Sequence, residues 1–167
     1  MDIDIVLSDI TELRVDAIVN AANCSLLGGG GVDGAIHRKA GPKLLMECRK
    51  TGGCSTGAAV MTNGYNLPST YVIHTVGPVW HGGGYNERQL LSQCYFNSLS
   101  LADKNKLKTI VFPAISAGVY RFPAEIAARI AVSSVREWKG AFPQKVIFCC
   151  FSHIMENIYK NILFVVS

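Results

Sequence analysis

The chain reads as an α/β protein of three layers, α/β/α, around a central mixed, largely parallel sheet. Three observations predict this. Strand-like and helix-like segments alternate along the 167 residues. Several strand-like segments are near-continuous apolar runs, as expected where a sheet is covered on both faces. No internal repeat, low-complexity stretch or linker breaks the alternation, so residues 1–167 are read as a single domain.

The strand-like segments, in order, are Ile3–Leu7, Ala17–Asn20, Ala58–Thr62, Tyr71–Val76, Thr109–Phe112 and Lys145–Cys150. Two longer helices stand between them. Asn86 and Gln89 have the spacing of a capping pair, and Leu90, Leu91, Cys94, Tyr95, Ser98, Leu101 and Ala102 then recur at helical spacing. Pro123 suits a first helical turn, and Ala127, Ile130, Ala131, Ser134, Val135 and Trp138 trace a buried face. Shorter helices are expected from Asp33 to Ala40, after Pro42 and after Ser152.

Composition narrows the function classes. Hydrophobic residues make up 49% and charged residues 17%, the balance of a packed domain rather than a disordered tail. The net charge of +4 favours anionic ligands, but Arg38-Lys39, Arg49-Lys50 and Lys104/Lys106/Lys108 are scattered and form no nucleic-acid stripe. Six cysteines include no CxxC pair, which argues for free, buried thiols in a reducing compartment. The N-terminus lacks a signal-peptide pattern, and Ile162–Val166 is too short to span a bilayer. A cytoplasmic protein with no membrane association is expected.

The chemistry gathers after strands. In open α/β sheets ligands bind at the carboxyl ends of the strands, and three loops leave strands there: Ser8 to Thr11, Asn23 to Val32, and Ala114 to Arg121. The second carries the run Gly28-Gly-Gly-Gly31, which propagates neither helix nor strand cheaply and suits close approach of backbone to a ligand. It leads into a helix, where loop amides and a helix N-terminus together bind anions. No Gly-Lys-Ser/Thr follows, so it is not a Walker loop, and the acid of a dinucleotide fingerprint is missing.

The small residues Ser116, Ala117, Gly118 and Val119, followed by Tyr120, let successive amides face a diphosphate, or they make an ordinary tight turn. Asp9 either accepts from an exocyclic amine or caps a turn. Asn20 and Asn23 fix loop turns or bind, and Asp33 is a chemical carboxylate or a helix-dipole acid. The four histidines have no HExxH pattern or acidic cluster, so a metal centre is not expected. Cys24 is the single candidate nucleophile, without a paired base.

Four motifs together resemble the macro domain family: Val15–Asn23, Leu27–His37, His74–Trp80 and Phe112–Tyr120. Within it the chain looks like the MacroD-type branch that includes bacterial O-acetyl-ADP-ribose deacetylases, and the likeness runs from Ile3 to Ile162. The resemblance implies ADP-ribose as ligand, with no metal and no cofactor. By matching position, Asp9 takes the adenine amine and the Ile10 amide a ring nitrogen. Gly31 and Val32, with Ser116, Ala117, Gly118, Val119 and Tyr120, wrap the diphosphate and distal ribose. Asn23 holds that ribose and Asp33 activates water.

Departures from the family pattern are Ser8 and Arg121, where glycine is usual, Ala117, where threonine is usual, and missing acids near Phe151–His153. The activity implied is ester hydrolysis on O-acetyl-ADP-ribose or on aspartyl and glutamyl ADP-ribose of proteins. An adjacent diphosphate would raise the Asp33 pKa and suit it to act as a base. The alternatives are a non-catalytic ADP-ribose reader and, motivated only by the basic balance, an RNA-binding regulator.

Overall fold

The computed structural model describes residues 1–165, and all six expected strands form within a residue of their expected bounds. They are β1 Asp2–Leu7, β2 Ala17–Ala21, β3 Ala59–Asn63, β4 Tyr71–Thr75, β5 Thr109–Phe112 and β6 Lys145–Cys150. The helices are α1 Gly31–Ala40, α2 Pro42–Thr51, α3 Glu87–Lys104, α4 Ala124–Glu137 and α5 His153–Val165, with a 3₁₀ turn at Ile10–Glu12. Val166 and Ser167, the end of the expected domain and of its last apolar run, lie outside the described residues.

The sheet order is β1-β6-β5-β2-β4-β3, with every neighbouring pair parallel except β3 against β4. Strand alternation divides the core cleanly. Ala17, Val19, Ile73, Ile110, Phe112, Val146 and Phe148 pack under α3, α4 and α5. Ile18, Val72, Val111 and Cys149 face the other way, toward Ile36, Leu44 and Cys48 of α1 and α2. Because five strands run the same way, the loops after β1, β2, β4, β5 and β6 emerge on one rim.

Several helix expectations are corrected. Asn86 precedes α3 in a left-handed conformation and makes no side-chain cap bond, so it forms no capping pair with Gln89. The next residue takes a different role: Glu87, 1% exposed, turns back and accepts the backbone N–H groups of His81, Gly83 and Tyr85. Leu99 is buried in α3, whereas Leu90 and Leu101 are only half-buried. Pro123 stands just before α4, Trp138 just after it, and α1 starts at Gly31 rather than Asp33. No helix among the described residues is long and apolar enough to cross a membrane.

The cysteines are all free, with Cys48, Cys94, Cys149 and Cys150 buried and Cys24 exposed. Burial pushes the thiols of Cys48, Cys94 and Cys149 up to about 11 and Cys150 to about 12.

Candidate functional site

A cavity of about 580 Å³ opens on the rim, lined by Leu7, Ser8, Asp9, Ile10, Gly31, Val32, Ala35, Pro113, Cys149 and Phe151. It brings together four of the expected binding residues: Asp9, Ile10, Gly31 and Val32. The loop after β5 reaches it only through Pro113, so Ser116 to Tyr120 stand beyond its lining, as do Asn23 and Asp33. Of the expected crevice, the cavity therefore takes in the loop after β1 and the start of α1 but not the turn after β5.

At the cavity end, Asp9 does cap the 3₁₀ turn. Its Oδ1 accepts the Thr11 backbone N–H at 2.9 Å and the Thr11 hydroxyl at 2.7 Å, which leaves Oδ2 for the cavity. Those two bonds, hydroxyl first, hold its carboxyl below the usual carboxylate range. The turn is tied to α1 by Lys39, whose Nζ lies 2.8 Å from Glu12 Oε1. Phe151, which follows β6 and is 78% exposed, adds an apolar side chain to the cavity lining that the sequence did not single out.

Two groups of backbone donors are left without protein acceptors. In α1 the first intrahelical bond in from the glycine loop runs from Gly34 N–H to Gly30 O, and Gly30 makes no side-chain cap bond. The N–H groups of Gly31, Val32 and Asp33 are thus left at the positive end of the helix. After β5, the chain turns at Ser116 and Arg121, both left-handed, and closes with Phe122 N–H to Ser116 O at 3.0 Å and Arg121 N–H to Gly118 O at 2.9 Å. Among the described residues, the backbone N–H groups of Ala117, Gly118, Val119 and Tyr120 donate to no protein acceptor. Val119 is 92% exposed and Tyr120 half-buried.

The second loop leans on its surroundings. A Cβ on Gly77 would strike Ser116 Oγ and come within 2.7 Å of Ile115 Cγ2, so only glycine admits this approach. Trp80 donates its backbone N–H to Tyr120 O at 2.8 Å and packs its ring 4.7 Å from Phe122.

The amide and the carboxylate lie together at the glycine loop. Asn23 shapes its own loop: Nδ2 donates to Gly28 O at 3.0 Å, and Oδ1 accepts Ser25 Oγ at 2.6 Å and Leu26 N–H at 3.2 Å. One Nδ2 hydrogen is left over. A Cβ on Gly29 would be 3.2 Å from Asp33 Oδ2 and 3.4 Å from Asn23 Nδ2, so both groups reach the underside of the glycine loop together.

Asp33 is 5% exposed, and its other oxygen, Oδ1, accepts Nδ2 of Asn20 at 2.8 Å, with His37 Nε2 at 3.4 Å. The His37 contact is a long approach rather than a hydrogen bond. Asn20 also meets His74 Nδ1 at 3.1 Å, and His74 Nε2 lies 2.8 Å from Thr62 Oγ1. Asn20 therefore secures Asp33 rather than a loop turn. Asn20, weighed only as a loop or binding residue, and His74, not weighed as a site residue, shared a signal: each is a polar residue inside an apolar strand run. Among the described residues no three His, Cys, Asp or Glu side chains gather to hold a metal ion.

The comparisons agree with this architecture. Residues 19–131 match the model of the family described as Macro domain. An O-acetyl-ADP-ribose deacetylase of Escherichia fergusonii is 53% identical, with 96% of this chain and 94% of that protein covered. An ADP-ribose glycohydrolase, MACROD2, of Xenopus laevis is 55% identical over 92% of this chain and 38% of its own length. A glycine-to-valine mutant of the Oceanobacillus iheyensis macrodomain, solved with ADPR, superposes with a TM-score of 0.93 at 42% identity, covering 97% of this chain and 91% of that one.

Proposed function

The chain belongs to the macro domain family, and from that membership we propose that it binds ADP-ribose and hydrolyses esters on it. The substrates are O-acetyl-ADP-ribose and mono-ADP-ribose carried on aspartyl or glutamyl side chains of proteins. One observation carries the reading. A helix N-terminus with unengaged N–H groups lines the cavity beside Asp9 and Ile10, the turn after β5 carries four more unengaged N–H groups, and the Asp33 carboxylate is buried under the glycine loop.

In this reading the base lies in the cavity against Phe151, its amine on Asp9 Oδ2 and a ring nitrogen on the Ile10 N–H. Gly31 and Val32 take one phosphate at the helix N-terminus, and the amides of Ala117 to Tyr120 in the Ser116 turn take the other with the distal ribose. Ser8 and Ala117 are tolerated because the binding groups there are backbone. Asn23 uses its remaining Nδ2 hydrogen on the distal ribose.

Asp33 Oδ2 removes a proton from water as its oxygen attacks the ester carbonyl carbon. The tetrahedral intermediate then expels the ribose oxygen, which recovers that proton, leaving a free carboxylic acid and a ribose hydroxyl. Donors held outside the protein's own hydrogen-bond network cost no reorganisation as charge builds. Free thiols fit a reducing, cytoplasmic setting.

The test is direct. Incubation with O-acetyl-ADP-ribose and with glutamate-linked ADP-ribosyl protein should release ADP-ribose from one or both. Binding of ADP-ribose with neither ester cleaved would replace the enzyme with a reader module.

A further inference from the structure

We propose that His74 is a positioning residue which, acting through Asn20, keeps the Asp33 proton on Oδ2, the oxygen under the glycine loop. The inference rests on the hydrolase reading, because it concerns the carboxylate that would handle the proton.

Asn20 and His74 are register partners on the adjacent parallel strands β2 and β4, and both are 0% exposed. The Asn20 amide offers two hydrogens, and two acceptors take them: Asp33 Oδ1 at 2.8 Å and His74 Nδ1 at 3.1 Å. Its own Oδ1 has no donor. Nδ1 of His74 must then be bare, and the ring hydrogen sits on Nε2, donated to Thr62 Oγ1 at 2.8 Å. The Thr62 hydroxyl in turn faces Asn63 O at 3.4 Å. Burial, helped by His37, pushes the His74 pKa down to about 3, so the ring stays neutral through the working range. A second hydrogen, on Nδ1, would point at the Asn20 donor.

The lock matters most after Asp33 has taken a proton. While Asp33 is ionised, its charge alone orients the Asn20 amide. Once neutral, its single hydrogen could sit on either oxygen. On Oδ1 it would confront the Asn20 N–H, unless the amide rotated by half a turn. Rotation would press Asn20 Oδ1 against the bare Nδ1 of His74 and leave donors unpaired in a dry site. With its hydrogen on Nε2, His74 thereby opposes the rotation, which would require the ring hydrogen to move to Nδ1 and the Thr62 hydroxyl to turn donor, and the proton remains on Oδ2, where it can return to the departing ribose oxygen without changing place.

The groups that bear on Asp33 come from every packed element. They are Asn20 from β2, His37 from α1 itself, His74 from β4, Thr62 behind it on β3, and Cys48 from α2, whose Sγ lies 3.9 Å from His74 Nε2. Asn23 approaches from the loop.

The experiment combines imidazole ¹⁵N NMR on the wild-type protein with kinetics of three variants on O-acetyl-ADP-ribose. His74→Leu removes the acceptor. His74→Gln restores one. Thr62→Val strips the partner from Nε2 without touching Asn20 or Asp33. The spectrum should show a neutral ring protonated on Nε2. His74→Leu should lower kcat on the order of tenfold to a hundredfold, with KM and ADP-ribose affinity held. Its acid limb in kcat/KM should move to higher pH, since a rotated Asn20 oxygen would favour protonated Asp33. His37→Gln, run in parallel, assigns that limb.

Gln at 74 should recover most of the loss, and Thr62→Val should lower kcat in the same direction. A ring protonated on Nδ1, or unchanged kcat in a His74→Leu variant that still binds ADP-ribose, would overturn the proposal. So would a loss shared equally by kcat and affinity. If His74→Leu does not fold, the tautomer and Thr62→Val decide. A wild-type protein that cleaves no ester would end the hydrolase reading and this one with it; a correct tautomer alongside cleavage and no variant effect would end only this one.

Discussion

The Trp80 backbone N–H donates to the Tyr120 carbonyl over 2.8 Å, joining the loop after β4 to the loop after β5. Behind Trp80, the same loop is gathered around the Glu87 carboxylate, which accepts N–H groups from His81, Gly83 and Tyr85 at 2.6–2.9 Å. Arg88 lies over the Trp80 ring at 5.6 Å and closes the group. The second donor turn thus stands on a loop that is itself held by one buried acid.

Glu87→Gln should loosen that support. Burial on its own would raise the Glu87 pKa, but the backbone donors outweigh it and bring the value down to about 2. A pKa lowered by folding gives stability that is present above the unfolded value, about 4.3, and lost as pH falls through the folded one. The wild-type advantage over Glu87→Gln should be constant above about pH 5 and fade toward pH 2. Urea unfolding of both proteins across that range checks it; a pH-independent difference would remove the charge from the account.

Asp9 has two duties that substitution can separate. Asp9→Ala and Asp9→Asn should each weaken ADP-ribose by about 1.5–3 kcal/mol, because both remove the charged acceptor. Only Asp9→Ala should also lose the turn cap to Thr11, costing about 1 kcal/mol of stability. Calorimetry beside thermal unfolding distinguishes them, and equal binding of ADP-ribose and ADP would place the distal ribose outside the site.

Asp33→Ala should lower turnover by roughly 10²–10⁴-fold while ADP-ribose affinity changes little, since amides hold the diphosphate. Asn23→Ala should affect both, because its side chain makes three bonds that shape the glycine loop. Single-turnover kinetics with parallel binding measurements read the split. Near-normal turnover in Asp33→Ala would transfer the proton to a substrate phosphate.

Arg121 has φ 62°, a conformation that suits glycine, the usual family residue there. Arg121→Gly should therefore raise stability by about 1 kcal/mol, whereas Arg121→Gln, which keeps a Cβ, should not. If the guanidinium also pairs with the diphosphate, both variants should weaken ADP-ribose binding and flatten its salt dependence. Unchanged affinity at every salt concentration in both would set Arg121 apart from the ligand.

The strands were legible because burial on both faces writes itself as apolar runs, and the loops were legible because glycine-rich segments follow those runs. Asp9 and Asp33 could be picked out by position after a strand and before a helix. Glu87 could not, since one residue of difference decides whether Asn86 caps the helix or Glu87 turns back to the loop. Asn20 and His74 stand 54 residues apart and acquire meaning only when β2 and β4 pair. A lone polar residue in a strand says that a partner exists without saying which.

The short ladder between β2 and β5, with Ala17 opposite Ile110 and Ile18 opposite Val111, has a consequence for the size of ligand the protein can accept. In the proposed function one anion-binding loop grows from the end of each strand, so the register of the two strands helps set how the loops are placed. A slip of one residue would shift one loop by about 3.3 Å and turn every side chain on that strand to the opposite face. On the proposed reading, in which each loop holds one phosphate, register of this kind would suit the protein to a diphosphate and not to a single phosphate.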